Sequence, residues 1–172
     1  MLRMLQGTLL MAFSALSFAG PPATPDEIKV PAGEKLVLKA RATGFQIYTC
    51  TAAGAHAAQW ELKAPDAELH DRKGAVIGHH FAGPTWKHKD GSEVTGKASA
   101  HVDSPDASSI PWLLVAATGH TGEGVFAQVS SIQRINTKGG KPPAGTACTA
   151  ANNGAESKSA YSADYYFFKP AK

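Results

Sequence analysis

The chain has 172 residues, enough for one domain with a full core; 43% are hydrophobic and only 18% charged, with 17 Gly and 11 Pro. That balance excludes a coiled coil, a disordered chain and a helix-rich bundle. The net charge is only +3 and its signs are interleaved, which leaves no basic stripe, so nucleic acid is not an expected partner.

Residues 1–19 read as an export signal. Arg3 opens it, an apolar run covers Leu9 to Phe18, and Ser17 and Ala19 supply small residues at the −3 and −1 cleavage positions. The run is short for a bilayer span, and no later segment reaches eighteen consecutive apolar residues. A periplasmic or secreted protein is expected, with no stable membrane insertion after signal cleavage. Residues 20–34 form a Pro-containing leader with a single helical turn expected after Thr24, and 35–172 the β-rich domain.

In that domain the clear periodicity is two. Lys35–Ala42 and Phe45–Thr51 are strand candidates parted by a Thr43-Gly44 turn signal, and Gln59–Ala64 alternates strictly, with Trp60, Leu62 and Ala64 on one face. Val76–Phe81 is the next candidate. Glu93–Asp103 alternates over its whole length and predicts Val94, Gly96, Ala98, Ala100 and Val102 inward. Trp112–Ala117 is continuously apolar and reads as a strand buried on both faces. Val125–Val129 is a further candidate, and Tyr161–Phe168 should close the sheet. Ala144–Ser159, small and polar, reads as a loop tied down by Cys148. About nine or ten short strands in one domain predict an antiparallel β-sandwich or a closed β-barrel.

Cys50 and Cys148 are the only cysteines. In an oxidising compartment an even pair points to a disulfide, two buried thiols being the alternative. Gly91 to Ala98 nearly matches a phosphate-binding loop, but Ala98 stands where the magnesium-binding hydroxyl belongs and the segment runs on as a strand, not a helix. The glycines of Gly119 to Gly124 lack dinucleotide spacing and read as a hairpin loop. No G-x-S-x-G elbow is present. Adjacent His79 and His80 face opposite sides of a strand, so a metal site would need one of them with His88. No cofactor is implied.

The densest run of unusual residues is His80 to Asp90. Trp86, between Pro84 and a turn, offers an apolar plate with one indole N–H, and His80 and Asp90 could orient a ligand on it. Core positions are the weightier reading for Trp86 and still more so for Trp112, since large aromatics dominate small β-cores. Arg134 and Asn136, on one face of a strand, are further ligand-binding candidates.

Tyr48-Thr49-Cys50, Ala64-Pro65, Gly78-x-His80-Phe81-x-Gly83-Pro84-x-Trp86, Asp90-Gly91-Ser92, Ile110-Pro111-Trp112, Arg134-x-Asn136-Thr137-x-Gly139-Gly140, Cys148 and Tyr161-x-Ala163-x-Tyr165 occur in this order. In this series the chain resembles the exported bacterial and fungal family called domain of unknown function 3455. The resemblance implies a secreted β-rich domain of unestablished activity, and supports pairing the two cysteines. The function expected is a non-enzymatic ligand- or envelope-binding module for a glycan, an aromatic small molecule or an envelope component. The alternatives are a metal-dependent enzyme using a histidine cluster and a structural envelope protein. In the binding reading, Trp86→Ala should abolish binding and leave folding intact.

Overall fold

Where the chain alternates it pairs with its sequence neighbour, and the result is a meander that closes on itself. The computed structural model describes residues 23–52 and 57–171; the signal sequence and His56 lie outside them. The strands are β1 (Glu34–Thr51), β2 (Gln59–His70), β3 (Val76–Phe81), β4 (Thr85–His88), β5 (Glu93–Val102), β6 (Trp112–Thr121), β7 (Ser131–Gly139) and β8 (Glu156–Pro170). All are antiparallel, in sequence order around one ring, with β8 paired to both β7 and β1.

Eight strands replace the nine or ten expected. Lys35–Ala42 and Phe45–Thr51 fuse, because Thr43-Gly44 is not a turn but the middle of β1. A Cβ on Gly44 would stand 2.2 Å from the Asp66 carbonyl oxygen, so the bare glycine lets β2 cross this close. Val125–Val129 is a turn-rich loop rather than a strand. It folds under one end of the ring, where buried Phe126 and Val129 plug the interior.

The interior core includes Ala42, Leu69, Ile77, Trp86, Val94, Phe126, Ile132, Tyr165 and Phe167. A second apolar cluster lies on the outer face. There the leader makes its expected turn as a 3-10 turn, Asp26–Ile28, and Ile28 packs with Ile135, Tyr166 and Phe168. The Gln133 side chain donates 2.6 Å to the Ile28 carbonyl and pins the leader. This second layer explains the apolar run in β6: Leu113 and Val115 belong with the interior, Trp112 and Leu114 with the leader cluster. Cover ends there, and Ala116 is exposed, so the strand is not buried on both faces throughout.

β5 departs from its predicted alternation for a similar local reason. Ala98 pairs with Val115 and Ala100 with Leu114, leaving Ser99 as an extra residue. A one-residue bulge turns the remainder of the strand over to the other face. Val94 and Gly96 face inward, Ala98 is exposed, and Ala100 and Val102 pack against the leader cluster outside.

The ring is not a regular barrel. β2 pairs with β3 only from Ala67 to His70, and β4 pairs with β5 only against Glu93–Thr95. Past the tip of the short β3–β4 hairpin, β2 and β5 face each other without a strand between them, so the wall is low on that side.

Candidate functional site

A cavity of about 510 Å³ occupies the interior beside this low wall, and every one of the eight strands contributes to its lining. Eight strands enclose an interior just wide enough for packed side chains or one small ligand. The lining grades from exposed to buried. Leu62 (56% exposed), Gly83, Lys97 and Ala98 stand at the rim; Gln46, His80, Trp86, Val115 and Tyr165 form the floor.

His80 and Trp86 are a cross-strand pair on β3 and β4, and their rings stack at 4.3 Å with 7° between the planes. Tyr165 of β8 meets both rings edge-on. The His80 Nδ1 lies 2.9 Å from the Thr85 carbonyl oxygen. A carbonyl only accepts, so Nδ1 carries the proton, and Nε2 remains an acceptor with no partner among the described residues. Burial pushes the imidazole down to about 3, against the bond to Thr85 and with help from the Arg134 charge. His80 is therefore neutral when folded at neutral pH.

That shift has a sign. In the unfolded chain the ring titrates near 6.5, so between there and about 3 the unfolded state holds the extra proton. Stability is whole above pH 6.5 and falls by roughly 1.4 kcal/mol for each pH unit below it, down to about pH 3. Urea midpoints measured from pH 7 to 4.5 should show this slope, and His80→Asn, which keeps a donor for Thr85, should flatten it. An equal slope in the variant would remove His80 as its source.

Arg134 reaches the cavity from β7. Its Nη2 donates 2.9 Å to the Pro111 carbonyl, while its Nε has no acceptor. Its charge is felt at Tyr48, His80, Tyr161 and Tyr165. Burial raises the phenols of Tyr161 and Tyr165 well above the ordinary tyrosine range, so both stay protonated. The Gln46 Nε2 and the Trp86 Nε1 are buried and without a hydrogen-bond partner; the buried hydroxyls of Tyr161 and Tyr165 interact with each other, and Tyr165 with Arg134, but none of these pairs completes a hydrogen bond.

Four of the six ligand-binding candidates thus line one cavity: His80, Pro84, Trp86 and Arg134. Asp90 does not. It sits in the β4–β5 turn, where its carboxylate accepts from the Ser92 and Val125 backbone N–H groups and from the Ser92 hydroxyl at 2.6 Å. Desolvation works against its charge, but these bonds and His88 outweigh it and hold the carboxyl well below the usual range. Asp90 is the anchor of the plugging loop. Asn136 is also elsewhere: with φ of +52° it sits in a bulge of β7, off the Arg134 face, and donates to Asp164 Oδ2 at 3.0 Å. Bulging breaks the alternation that would have kept it beside Arg134.

The histidines considered for a metal do not converge. His79 is exposed on the outer face, His80 lies inside, and the His88 Nδ1 is 3.0 Å from Asp90 Oδ2. Among the described residues no group of three or more His, Cys, Asp or Glu could hold an ion. Cys50 and Cys148 form a disulfide with their Cα atoms 5.3 Å apart, joining the end of β1 to the β7–β8 loop.

Gln46 and Tyr165 line the cavity but are not among the candidates read from the sequence: Gln46 falls in no motif, and Tyr165 stands in the Tyr161-x-Ala163-x-Tyr165 series, which assigns it no role. Tyr161, Ala163 and Tyr165 do share a face by alternation, and Gln46 is a polar residue on the inward face of β1, which is the signal that could have found them. A larger recess of about 820 Å³ lies outside, around Thr43, Phe45 and His79; it mixes Asp66, Glu68 and Lys138.

The model of the family described as protein of unknown function (DUF3455) matches residues 31–169. The chain belongs to this family. The match takes in all eight strands but for Pro170 at the end of β8, and both cysteines, so the DUF3455 domain includes the ring and its cavity. No curated protein and no solved structure matches the chain.

Proposed function

We propose that the protein is an exported, non-enzymatic binding module whose interior cavity takes one small, largely apolar ligand, an aromatic molecule before a glycan or an envelope component. The observation that carries this reading is the concentration of buried polar atoms without partners, the Gln46 Nε2, the Trp86 Nε1, the Arg134 Nε and the Tyr165 hydroxyl, on residues that line a predominantly apolar cavity. Each such group costs about 1–3 kcal/mol when left unsatisfied, and a ligand bearing matching groups recovers that cost. His80, held neutral with its proton committed to Thr85, is a weak base rather than one poised near pH 7, which favours binding over proton-transfer catalysis. The Cys50–Cys148 disulfide is compatible with export, and no helix among the described residues is long and apolar enough to cross a membrane.

The test blocks the mouth without cutting the core. Ala98 is an exposed rim residue, so Ala98→Trp should fill the entrance and leave the fold in place. Wild-type protein should show saturable stabilisation by small aromatic compounds in a thermal-shift screen, about 2.7 kcal/mol at a hundredfold excess over Kd. A98W, at unchanged ligand-free Tm, should show none. Equal stabilisation of both proteins would place the ligand outside the cavity.

A further inference from the structure

We infer that the ligand is a small organic carboxylate, its acid group paired with Arg134 and its apolar body laid along the His80–Trp86 wall. This rests on the cavity being the binding site and adds the chemical class of what it binds. Charge is the argument. The protein carries 14 acidic residues, yet none lines the cavity, whereas Arg134 lies within it and Lys97 at its rim. Among the described residues neither cation has a carboxylate partner. The neutral groups agree with the charges. The Gln46 amide and the Trp86 indole carry N–H donors without acceptors, the Tyr165 hydroxyl can donate, and the Arg134 Nε–H is unused. Against them stands the His80 Nε2 acceptor. A cavity rich in donors and carrying an unpaired guanidinium is complementary to an anionic acceptor, and a guanidinium bonds a planar carboxylate in particular. Most of the remaining lining, with Leu62, Pro65, Pro84, Leu113 and Val115, offers carbon, and Thr118 adds one hydroxyl, so the remainder of the ligand is largely apolar.

Matched acids and primary amides read this directly: benzoate with benzamide, cinnamate with cinnamamide, octanoate with octanamide, each titrated calorimetrically into the full-length mature protein at pH 7.5. The acid of at least one pair should bind about tenfold or more tightly than its amide, and Arg134→Gln should reduce that preference to near unity while Arg134→Lys retains part of it. The wild-type comparison stands alone if R134Q does not fold. Should an amide bind as well as its acid, the carboxylate assignment falls and the cavity remains a binding site. If none of the six compounds saturates, the cavity reading fails and this inference with it. An acid preference that survives in folded R134Q would move the carboxylate away from Arg134 and overturn the pairing.

Discussion

Trp86→Ala is expected to destabilise the fold by about 3–5 kcal/mol, the range for removing a large aromatic from a packed core. The indole is 2% exposed. One face stacks on His80, and its edges meet Tyr165 at 5.7 Å and Phe167 at 6.3 Å between ring centroids. Gly96 lies against the ring as well, where a Cβ would come 2.5 Å from Val115 Cγ1 and only into ordinary contact, 3.4 Å, with Cζ3 of the indole. Alanine would leave His80 without its stacking partner and enlarge a cavity that is already present. Trp86→Phe keeps a ring against Tyr165 and should recover most of the loss. Urea unfolding of the three proteins measures both steps; a loss under 1 kcal/mol for Trp86→Ala would mean that the indole contributes to the cavity wall and little to the core. The consequence for function is direct. The sequence alone suggests that Trp86→Ala separates binding from folding, and the packing removes that separation, so the rim residue Ala98 is the cleaner probe.

Opening the Cys50–Cys148 bridge should cost about as much. The crosslink joins residues separated by 98 positions, and the chain-entropy relation gives up to about 4.7 kcal/mol for a loop of that size. The bridge acts together with local backbone bonds, because Cys50 N–H donates to the Ala155 carbonyl and the Cys50 carbonyl accepts from Gly154. With the Ala52 N–H bond to Asn153 Oδ1, these hold the β7–β8 loop to the end of β1, and losing the covalent link leaves only hydrogen bonds that are weak alone. Unfolding in urea with and without dithiothreitol should show a lower midpoint on reduction. A larger m value should accompany it, since the reduced unfolded chain exposes more surface. An unchanged midpoint would show that the loop contributes nothing to the stability of the ring.

Much of this architecture is legible from residue patterns, for a reason tied to the pleat. Alternation survives wherever one face looks into the core, so β5 and β8 are visible in Val94–Gly96 and in Tyr161–Ala163–Tyr165. In β2 the predicted face of Trp60, Leu62 and Ala64 is interrupted: Leu62 stands exposed at the rim, and the buried alternation is Pro65, Ala67 and Leu69. Single-residue events are not visible in this way. The extra residues Lys63 in β2 and Ser99 in β5 have no compositional mark, yet each reverses the facing of the residues after it. The Asn136 bulge separates it from Arg134 in the same way. Gly44 misleads because a glycine that permits close strand crossing looks, in sequence, like one that makes a turn. Within the site, His80, Pro84, Trp86 and Arg134 stand out as unusual residue types near turns. Asp90 looks equally unusual, but hydrogen bonds internal to the plug account for it, and bonds between distant backbone atoms leave no trace in composition.

The low wall between β2 and β5 has a cost that the chain manages with a few side chains. Along Gln59–Asp66 and Gly96–Val102, the main-chain groups on that side have no strand partner among the described residues. Such edges are templates on which a second copy can add a strand and begin a polymer. Pro65 removes one donor from the first edge, and Glu61, Lys63 and Lys97 place charge along the two. The Gly96 N–H is already taken by the Pro84 carbonyl, so the hairpin tip also stitches the start of the second edge. The molecule can hold its side entrance open to solvent and still resist sheet-by-sheet growth.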